Sequence, residues 1–249
     1  GKDGIVVHPV IGMEEPWRYR NKVQVPIGFD LEEGGLVGGF YEAGTHRIVE
    51  TDACLIQHER SESAVACVKR IARELGIEAY DEKSRTGWLR HVVVKVSFSS
   101  GDMMVVLVAT SREVEGLSAF VARIREELPQ AVSILLNVNA ERTSAVFGRE
   151  TVRLWGGEVI FDEIGGIQFA ISARSFYQVN PVQTERLYAK ALEYAALTGG
   201  ETVIDAYSGI GTISLFLARA ARKVYGVEVV PEAVKDARFN AELNDIENV

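Results

Sequence analysis

The sequence has few of the features that mark secreted or membrane-embedded proteins. It contains only two cysteines, Cys54 and Cys67, which are too few for a disulfide framework and fit a reducing cytoplasm. Its longest apolar stretches, such as Met103–Ala109, have the length of a strand and fall far short of the ~18 residues of a membrane span. We therefore expect a cytoplasmic protein without a membrane-spanning segment.

Positive charge is also scarce, since 27 Lys and Arg residues stand against 35 Asp and Glu residues and give a formal net charge of -8. A stand-alone nucleic-acid-binding module is usually basic, so this balance argues against one. An enzyme that acts on RNA remains compatible, because local charge decides contact. The locally basic segment Trp17–Lys22 makes Arg18, Arg20 and Lys22 candidates for RNA contact, with a solvated strand edge as the alternative.

The hydrophobic pattern of residues 1–172 predicts a mixed α+β domain. Val23, Val25 and Ile27 alternate with polar residues, as in a half-buried strand, and Ser61–Leu75 has apolar residues at helical spacing. The runs Leu89–Phe98 and Met103–Ala109 predict a hairpin. Further elements are predicted as a helix at Val114–Leu128 and strands at Val132–Val138, Val152–Trp155, Val159–Phe161 and Ile167–Ile171.

From Ala173 onward the pattern changes to the strand–helix alternation of a parallel sheet. Helices are predicted at Pro181–Leu197, Thr212–Ala220 and Pro231–Asn244, with strands at Thr202–Asp205 and Lys223–Glu228 between them. We therefore predict a fold that is α+β and then α/β. A central α+β domain at residues 1–172, linking and RNA-binding, would precede an incomplete Rossmann-like domain at residues 173–249.

A glycine turn leads from the first of these strands into a helix. It runs from Asp205 to Gly211, and its glycines, Gly209 and Gly211, allow the backbone to approach a ligand closely. Glu228 ends the second strand, where a carboxylate can bind both ribose hydroxyls of an adenosine. The alternatives are an ordinary tight turn and a solvated strand end.

Two features favour a methyl donor over a dinucleotide as the ligand of this turn. The dinucleotide pattern has a third glycine, and Ser214 occupies that position. Asp205 ends the first strand, where it can anchor the loop or face a cationic sulfonium cofactor. A dinucleotide oxidoreductase is therefore a distant alternative.

Several segments taken together resemble the RNA uracil-5 methyltransferases, which methylate C5 of uridine in rRNA or tRNA. They are Ser175–Pro181, Asp205–Gly211, Val224–Glu228, Ala233–Val234 and Asn240–Asn244. One segment distinguishes this family from generic methyltransferases, which lack it: Phe176-Tyr177-Gln178-Val179-Asn180-Pro181. Trp17–Lys22 resembles the start of the family's central domain, so the resemblance spans nearly the whole chain. The bacterial 23S rRNA branch looks closest.

This resemblance implies S-adenosylmethionine as cofactor and 23S rRNA as substrate, with tRNA as the second choice. Gln178, Tyr207 and Glu228 fall where the family binds the cofactor, and Asp205, Gly209, Gly211 and Thr212 belong to the adjoining loop and helix start. A plain structural alternative makes Gln178 a cap partner for the helix at Pro181. The resemblance implies no oligomeric state.

Cys54 follows the segment that begins at Arg47. In family members with a [4Fe–4S] cluster, one cysteine has this context and three others lie earlier in the chain. Those three are absent from this sequence, and such a cluster needs four thiolates. Cys54 is therefore either an orphaned iron–sulfur ligand of a longer protein or a small buried hydrophobe.

The resemblance also implies that the catalytic cysteine and the general base lie downstream of the second cofactor strand, beyond Val249. We therefore expect this chain to be a fragment, truncated at both ends, that is inactive by itself. Two alternatives of another kind stay open. One is a methyltransferase that acts on a different substrate class, and the other is a non-catalytic RNA-binding module.

Overall fold

The computed structural model describes residues 4, 6–30, 35–51 and 53–249 of the chain. Its largest element is a seven-stranded sheet in the order β3-β2-β1-β4-β5-β6-β7. β5 and β6 are parallel, and the other neighbouring strands are antiparallel. The strands are β1 (Lys22–Asp30), β2 (Gly35–Tyr41), β3 (Ile48–Glu50), β4 (Leu89–Val96), β5 (Met103–Ala109), β6 (Ala131–Val138) and β7 (Glu150–Gly156).

The other elements lie on the two faces of this sheet. Helices α1 (Glu59–Glu74) and α2 (Leu117–Glu127) cover one face. The second face is covered by the antiparallel hairpin β8 (Val159–Ile164) and β9 (Ile167–Ser172). Three helices pack against this hairpin, namely α3 (Pro181–Ala195), α4 (Thr212–Ala218) and α5 (Pro231–Leu243), and strands β10 (Thr202–Asp205) and β11 (Lys223–Gly226) pack against α4. Strands β10 and β11 pair in parallel, so the predicted fold class, α+β followed by α/β, is confirmed.

The described residues form three hydrophobic cores, one on each face of the large sheet and a small one around Val224 of β11. Alternate residues of the central strands point to opposite faces, so Val92 and Val94 join the core under α1 and α2 while Val93 joins the core under the hairpin. Strands buried on both faces need continuous apolar runs, which explains the near-absence of polar alternation in β4 and β5. The second core also contains Phe169 and Leu215.

This second core draws side chains from both sides of the predicted domain boundary at 172/173. Met104 and Leu135 of the large sheet share it with Tyr188 of α3 and Phe216 of α4. The boundary itself stays a prediction. No helix in the described part of the chain is long and apolar enough to cross a membrane.

The helix and strand bounds agree with the predicted ones to within a few residues, with one omission. Strand β3 is only three residues long and was not predicted, because so short a strand shows no periodicity of its own. Helix α1 begins before the predicted start because the side chain of His58 caps it and accepts a hydrogen bond from the Arg60 N–H at 3.1 Å.

Two asparagines, one within α5 and one at its C-cap, hold this helix against the edge of β9. Asn240 is fully buried; its Oδ1 accepts from the Ala170 N–H at 2.8 Å, and its Nδ2 donates to the Ile210 carbonyl at 3.0 Å. Asn244, one turn later, exchanges hydrogen bonds of 2.8 and 2.7 Å with the backbone of Gln168. Both side chains therefore replace the neighbouring strand that the edge of β9 lacks.

The buried amide of Asn240 should be the more important of the two. Asn240→Ala leaves the buried Ala170 N–H and Ile210 carbonyl without partners, which should cost about 1–3 kcal/mol of unfolding free energy for each unsatisfied group. Asn244→Ala is the matched control, since its partner Gln168 is exposed to water. Urea denaturation of both variants measures the difference, and equal losses would contradict this assignment.

Candidate cofactor-binding site

The glycine turn between β10 and α4 has one crowded glycine and one open glycine. Both have positive φ angles, +53° at Gly209 and +86° at Gly211. A Cβ on Gly211 would lie 3.3 Å from the Cβ of Ala237, so Gly211 allows α5 to approach the turn. No atom lies within 4 Å of the position that a Cβ on Gly209 would take. Gly209 therefore leaves an open face of the loop for a ligand.

The carboxylate of Glu228 closes this turn from the end of the neighbouring strand. Its Oε2 accepts from the Gly209 N–H at 3.0 Å, and its Oε1 accepts from the N–H groups of Val229 and Val230 at 2.7 and 2.8 Å. The Val230 N–H, together with those of Gly209 and Val229, holds the pKa of Glu228 below its usual value. An ionised carboxylate has about four acceptor positions, so one remains for a ligand hydroxyl.

Asp205 anchors the turn from inside. Its Oδ2 accepts from the hydroxyl of Ser214 at 2.6 Å, and its Oδ1 accepts from the Tyr207 N–H at 3.4 Å. Ser214 is buried in α4 and stands where the dinucleotide pattern has its third glycine. Ser214 therefore ties α4 to the end of β10, and the Asp205 carboxylate holds the loop through the Tyr207 N–H.

Tyr188 of α3 joins the turn to the segment that contains Gln178. Its hydroxyl shares a hydrogen bond with that of Thr212, at 2.9 Å, and its ring packs edge-on against Phe216. Burial raises the pKa of Tyr188, the neighbouring side chains of Thr212 and Gln178 oppose this, and the charge of Asp205 adds to it. One buried phenol is thus surrounded by three of the predicted cofactor residues.

The segment that contains Gln178 is fixed to the large sheet by Asn21, just before β1. The side-chain amide of Asn21 donates to the Gln178 carbonyl at 2.9 Å, and its backbone N–H donates to the Val179 carbonyl at 2.9 Å. Asn180 then caps α3, accepting from the Gln183 N–H at 3.0 Å. The cap belongs to Asn180, so the alternative that made Gln178 the cap partner is not supported.

A buried lysine supports the turn that precedes this segment. Lys95 of β4 donates to the carbonyls of Ser172 and Ser175 at 2.7 and 3.0 Å. Burial lowers the pKa of Lys95 to about 7; the charge of Lys22 lowers it further, and that of Asp236 raises it. The Lys95 amine thereby links the large sheet to the chain that leads to Gln178.

The seven predicted cofactor residues therefore lie in one region. The turn brings together Asp205, Tyr207, Gly209, Gly211 and Thr212. Glu228 joins through the Gly209 N–H, and Gln178 joins through Tyr188. Tyr207 is 93% exposed, so its ring is free to pack on a ligand. Their role in binding a cofactor remains a prediction.

The basic segment before β1 has a different environment from the one expected. The guanidinium of Arg18 donates to the Cys54 and Gln57 carbonyls, both at 3.2 Å, and pairs with Glu62 at 2.7 Å. Burial, and secondarily the charge of Arg20, lowers the pKa of Lys22. Arg18 is thus engaged within the protein, while RNA contact by Arg20 and Lys22 stays a prediction.

The surroundings of Cys54 do not suggest a metal cluster. Its backbone N–H donates to the Glu62 carboxylate at 2.5 Å, and its thiol is free. Among the described residues, no group of three or more His, Cys, Asp or Glu side chains is placed to hold a metal ion. Cys67 lies apart on α1, where burial raises its pKa to about 11. The iron–sulfur prediction therefore finds no support.

Three residues of this region were missed by the sequence reasoning, although two of them left a signal. Lys95 interrupts the apolar run Val92–Val96, and Asn240 lies within a helix, where asparagine is unfavourable. A polar residue at either position therefore indicates a buried side chain that forms specific hydrogen bonds. Tyr188 gives no such signal, because a core aromatic residue would fit the same helical spacing.

A glycine turn closed by a strand-end carboxylate is an arrangement typical of nucleoside cofactor sites, and the chain has a mixed α/β methyltransferase fold. A family model for the TRM5/TYW2 methyltransferase domain matches residues 160–249. A tRNA (uracil-54, C5)-methyltransferase of Pyrococcus abyssi, solved with S-adenosyl-L-homocysteine, has a TM-score of 0.78 at 26% identity. The match covers 94% of this chain and 55% of that chain.

Curated relatives extend this similarity to bacterial proteins. An uncharacterized RNA methyltransferase of Halalkalibacterium halodurans is 56% identical over 98% of this chain and 53% of its own length. One from Bacillus cereus is 53% identical over 100% of this chain and 54% of its own length. The chain thus spans about half the length of the curated relatives that it matches.

The sequence-based identification as a bacterial 23S rRNA uracil-5 methyltransferase is wrong. The matching family model describes TRM5/TYW2 domains, and the similar solved enzyme is named for tRNA. The names of the two curated relatives give neither a base nor an RNA class. The motifs could not identify the RNA substrate, because their residues surround the cofactor turn. The choice of RNA does not constrain which residues stand there.

The hydroxyl of Tyr188 should matter for cofactor affinity. Tyr188→Phe keeps the ring on Phe216 but removes the hydroxyl that is hydrogen-bonded to Thr212 beside the cofactor turn. Losing such a hydrogen bond costs about 0.5–1.5 kcal/mol, roughly a two- to tenfold weaker binding of S-adenosylhomocysteine. Calorimetry on the full-length protein measures this, with Tyr194→Phe, an exposed position on the same helix, as control. Unchanged affinity in the Tyr188→Phe protein would contradict the expectation.

The lowered pKa of Lys95 predicts a pH dependence of stability. Above about pH 7 the folded chain releases the Lys95 proton, while the unfolded chain keeps it up to about pH 10.4. The unfolded state then binds more protons, so this residue makes stability rise with pH from about 7 toward 10. Lys95→Met should remove the rise, and Lys235→Met, an exposed lysine, should keep it. Identical slopes for wild type and Lys95→Met, in denaturation at pH 6.5 to 8.5, would contradict this.

Proposed function

We propose that this chain supplies the cofactor-binding turn and part of the RNA-binding surface of an S-adenosylmethionine-dependent RNA methyltransferase that acts on tRNA. The observation that carries the proposal is the 3.0 Å hydrogen bond from the Gly209 N–H to the Glu228 carboxylate. It holds a strand-end acid directly beside an open glycine turn. The names of the relatives support RNA as substrate, and the tRNA enzyme from P. abyssi supports the RNA class.

In this proposal different residues bind different parts of the cofactor. The remaining acceptor position of Glu228 binds a ribose hydroxyl, as strand-end acids do in nucleoside sites. The open face at Gly209 admits the ligand to the backbone, and the exposed ring of Tyr207 packs on it. Gln178 binds from the opposite segment, oriented by Tyr188. Asp205 and Thr212 act on the loop, where both side chains have protein partners.

S-adenosylmethionine supplies an electrophilic methyl group when it is bound, and the residues above hold and orient it. We assign neither a nucleophile nor a general base to any residue of this chain, and we propose that the groups that react with the RNA base lie outside residues 1–249. The cofactor-binding unit in this proposal begins at residue 173. Residues 1–172 then form the RNA-facing unit.

The test is methyl transfer by the full-length protein. We expect radiolabelled methyl groups from S-adenosylmethionine to enter a tRNA transcript, with nucleoside analysis identifying the product. Glu228→Gln removes the charge that binds three backbone N–H groups, so cofactor affinity should fall about tenfold or more. Glu232→Gln, an exposed acid in the first turn of α5, is the matched control.

Each alternative predicts a different result. A methyltransferase of another substrate class would bind S-adenosylhomocysteine in calorimetry yet leave every RNA unlabelled. A non-catalytic RNA-binding module would bind tRNA and give no saturable heat with S-adenosylhomocysteine. Either result, from a correctly folded protein, refutes the proposed function.

A further inference from the structure

The surface loop between β6 and β7, residues 139–149, is held in shape by buried polar side chains. Asn137 is fully buried; its Oδ1 accepts from the Gly148 N–H at 2.7 Å, and its Nδ2 donates to the Glu150 carbonyl at 2.9 Å. Asn139, also buried, donates to the carbonyls of Ala145 and Val146 at 2.9 and 3.1 Å. Two amides thus fix both the base and the far side of the loop.

A third buried group reaches the same loop from β4. Arg90 is 5% exposed, and its guanidinium donates to the carbonyls of Asn139 and Glu141 at 2.6 and 2.9 Å. Burying polar groups is costly unless each is paired, and fully paired networks make the backbone they hold rigid. The loop therefore has a defined shape before any partner binds.

The loop and the turn beside it present arginines that have no acidic partner. Arg142 and Arg149 are exposed on the loop, and Arg174 is exposed in the turn that follows β9. Arg174 donates to the Arg149 carbonyl at 3.4 Å, so these two lie side by side. Within the described residues, none of the three forms an ion pair with a carboxylate.

This group reverses the charge of the chain locally. The formal net charge is -8, and many other arginines, such as Arg70 and Arg123, are paired with glutamates. Of the acids near these arginines, Glu150 pairs with Arg112, and Asp236 accepts from the Ser172 hydroxyl at 3.4 Å. Three guanidinium groups therefore outnumber the two acids that remain, Asp236 and the exposed Glu141. The surface is therefore positive, although the protein as a whole is negative.

The arginines are connected to the candidate cofactor site through the backbone. Arg174 lies within the turn whose carbonyls bind Lys95, four residues before Gln178. An extended chain rises ~3.3 Å per residue, so these two residues are at most ~13 Å apart. A single stretch of RNA can therefore contact both places.

We propose that Arg142, Arg149 and Arg174 form the surface that binds the phosphate backbone of the RNA beside the cofactor site. The planar guanidinium fork matches the geometry of a phosphate, and such contacts set affinity and register without reading sequence. A rigid loop loses no conformational entropy when it binds RNA. The buried amides of Asn137 and Asn139 therefore favour binding, because they hold the loop in one shape beforehand. The inference rests on the proposed function and identifies where its RNA substrate is bound.

The test compares arginine variants of the full-length protein in binding to an in vitro transcribed tRNA over a range of salt concentrations. Arg149→Gln with Arg174→Gln should weaken binding about tenfold at low salt. Each lost phosphate contact should reduce the salt slope by ~0.7–0.9. Adding Arg142→Gln should reduce the slope again. S-adenosylhomocysteine affinity should stay unchanged, because these residues do not touch the cofactor turn.

The matched control is Arg70→Gln, which removes one exposed arginine from α1, on the opposite face of the large sheet. It should leave both the tRNA affinity and the salt slope unchanged. Arg149→Lys with Arg174→Lys should keep the slope and lose part of the affinity, since lysine keeps the charge but not the fork.

Two outcomes overturn different claims. Wild-type tRNA affinity and slope in the double glutamine variant, with methyl transfer intact, would overturn this surface and leave the proposed function in place. Wild-type protein that transfers no methyl group and gives no heat with S-adenosylhomocysteine would overturn the proposed function itself. A glutamine variant with weakened tRNA binding and unchanged cofactor affinity supports the surface.

Discussion

The whole arrangement depends on a sheet whose central strands are buried on both faces. β4, β5 and β6 have almost no residues exposed to water, so each face needs its own apolar cover. Helices α1 and α2 cover one face. The β8–β9 hairpin covers the other and in turn packs against α3, α4 and α5, which attaches the candidate cofactor-binding part to the large sheet.

Apolar burial is non-directional, so it cannot by itself set where that second layer lies on the sheet. Directional contacts do this at three points. Lys95 binds the carbonyls of Ser172 and Ser175, Asn21 binds those of Gln178 and Val179, and Asn240 ties β9 to the cofactor turn. Because these groups are buried, an alternative placement would leave them unpaired.

The candidate site follows from this docking. Gln178 and Thr212 come from segments that are distant in the sequence. The Thr212 hydroxyl is hydrogen-bonded to that of Tyr188, and the Gln178 side chain lies near the same phenol. Glu228 adds the end of a neighbouring parallel strand. The surface loop with Arg142 and Arg149 is connected to the same place through Arg174. The candidate cofactor site and the proposed RNA-binding surface thereby share one supporting layer.

The sequence by itself determined the order of helices and strands, the glycine turn and the acid that closes it. These depend on local patterns, such as the apolar alternation of β1 and the left-handed φ angles at Gly209 and Gly211. It did not determine the RNA class, since cofactor residues carry no constraint from the RNA. Only the tertiary structure decided that Arg18 is engaged by Glu62 while Arg149 and Arg174 form no ion pair with any carboxylate in the described part of the chain, and that Tyr188 and Lys95 support the site. Those facts arise from contacts between residues far apart in the chain, where the partner, and not the local pattern, decides what a charge or a hydroxyl does.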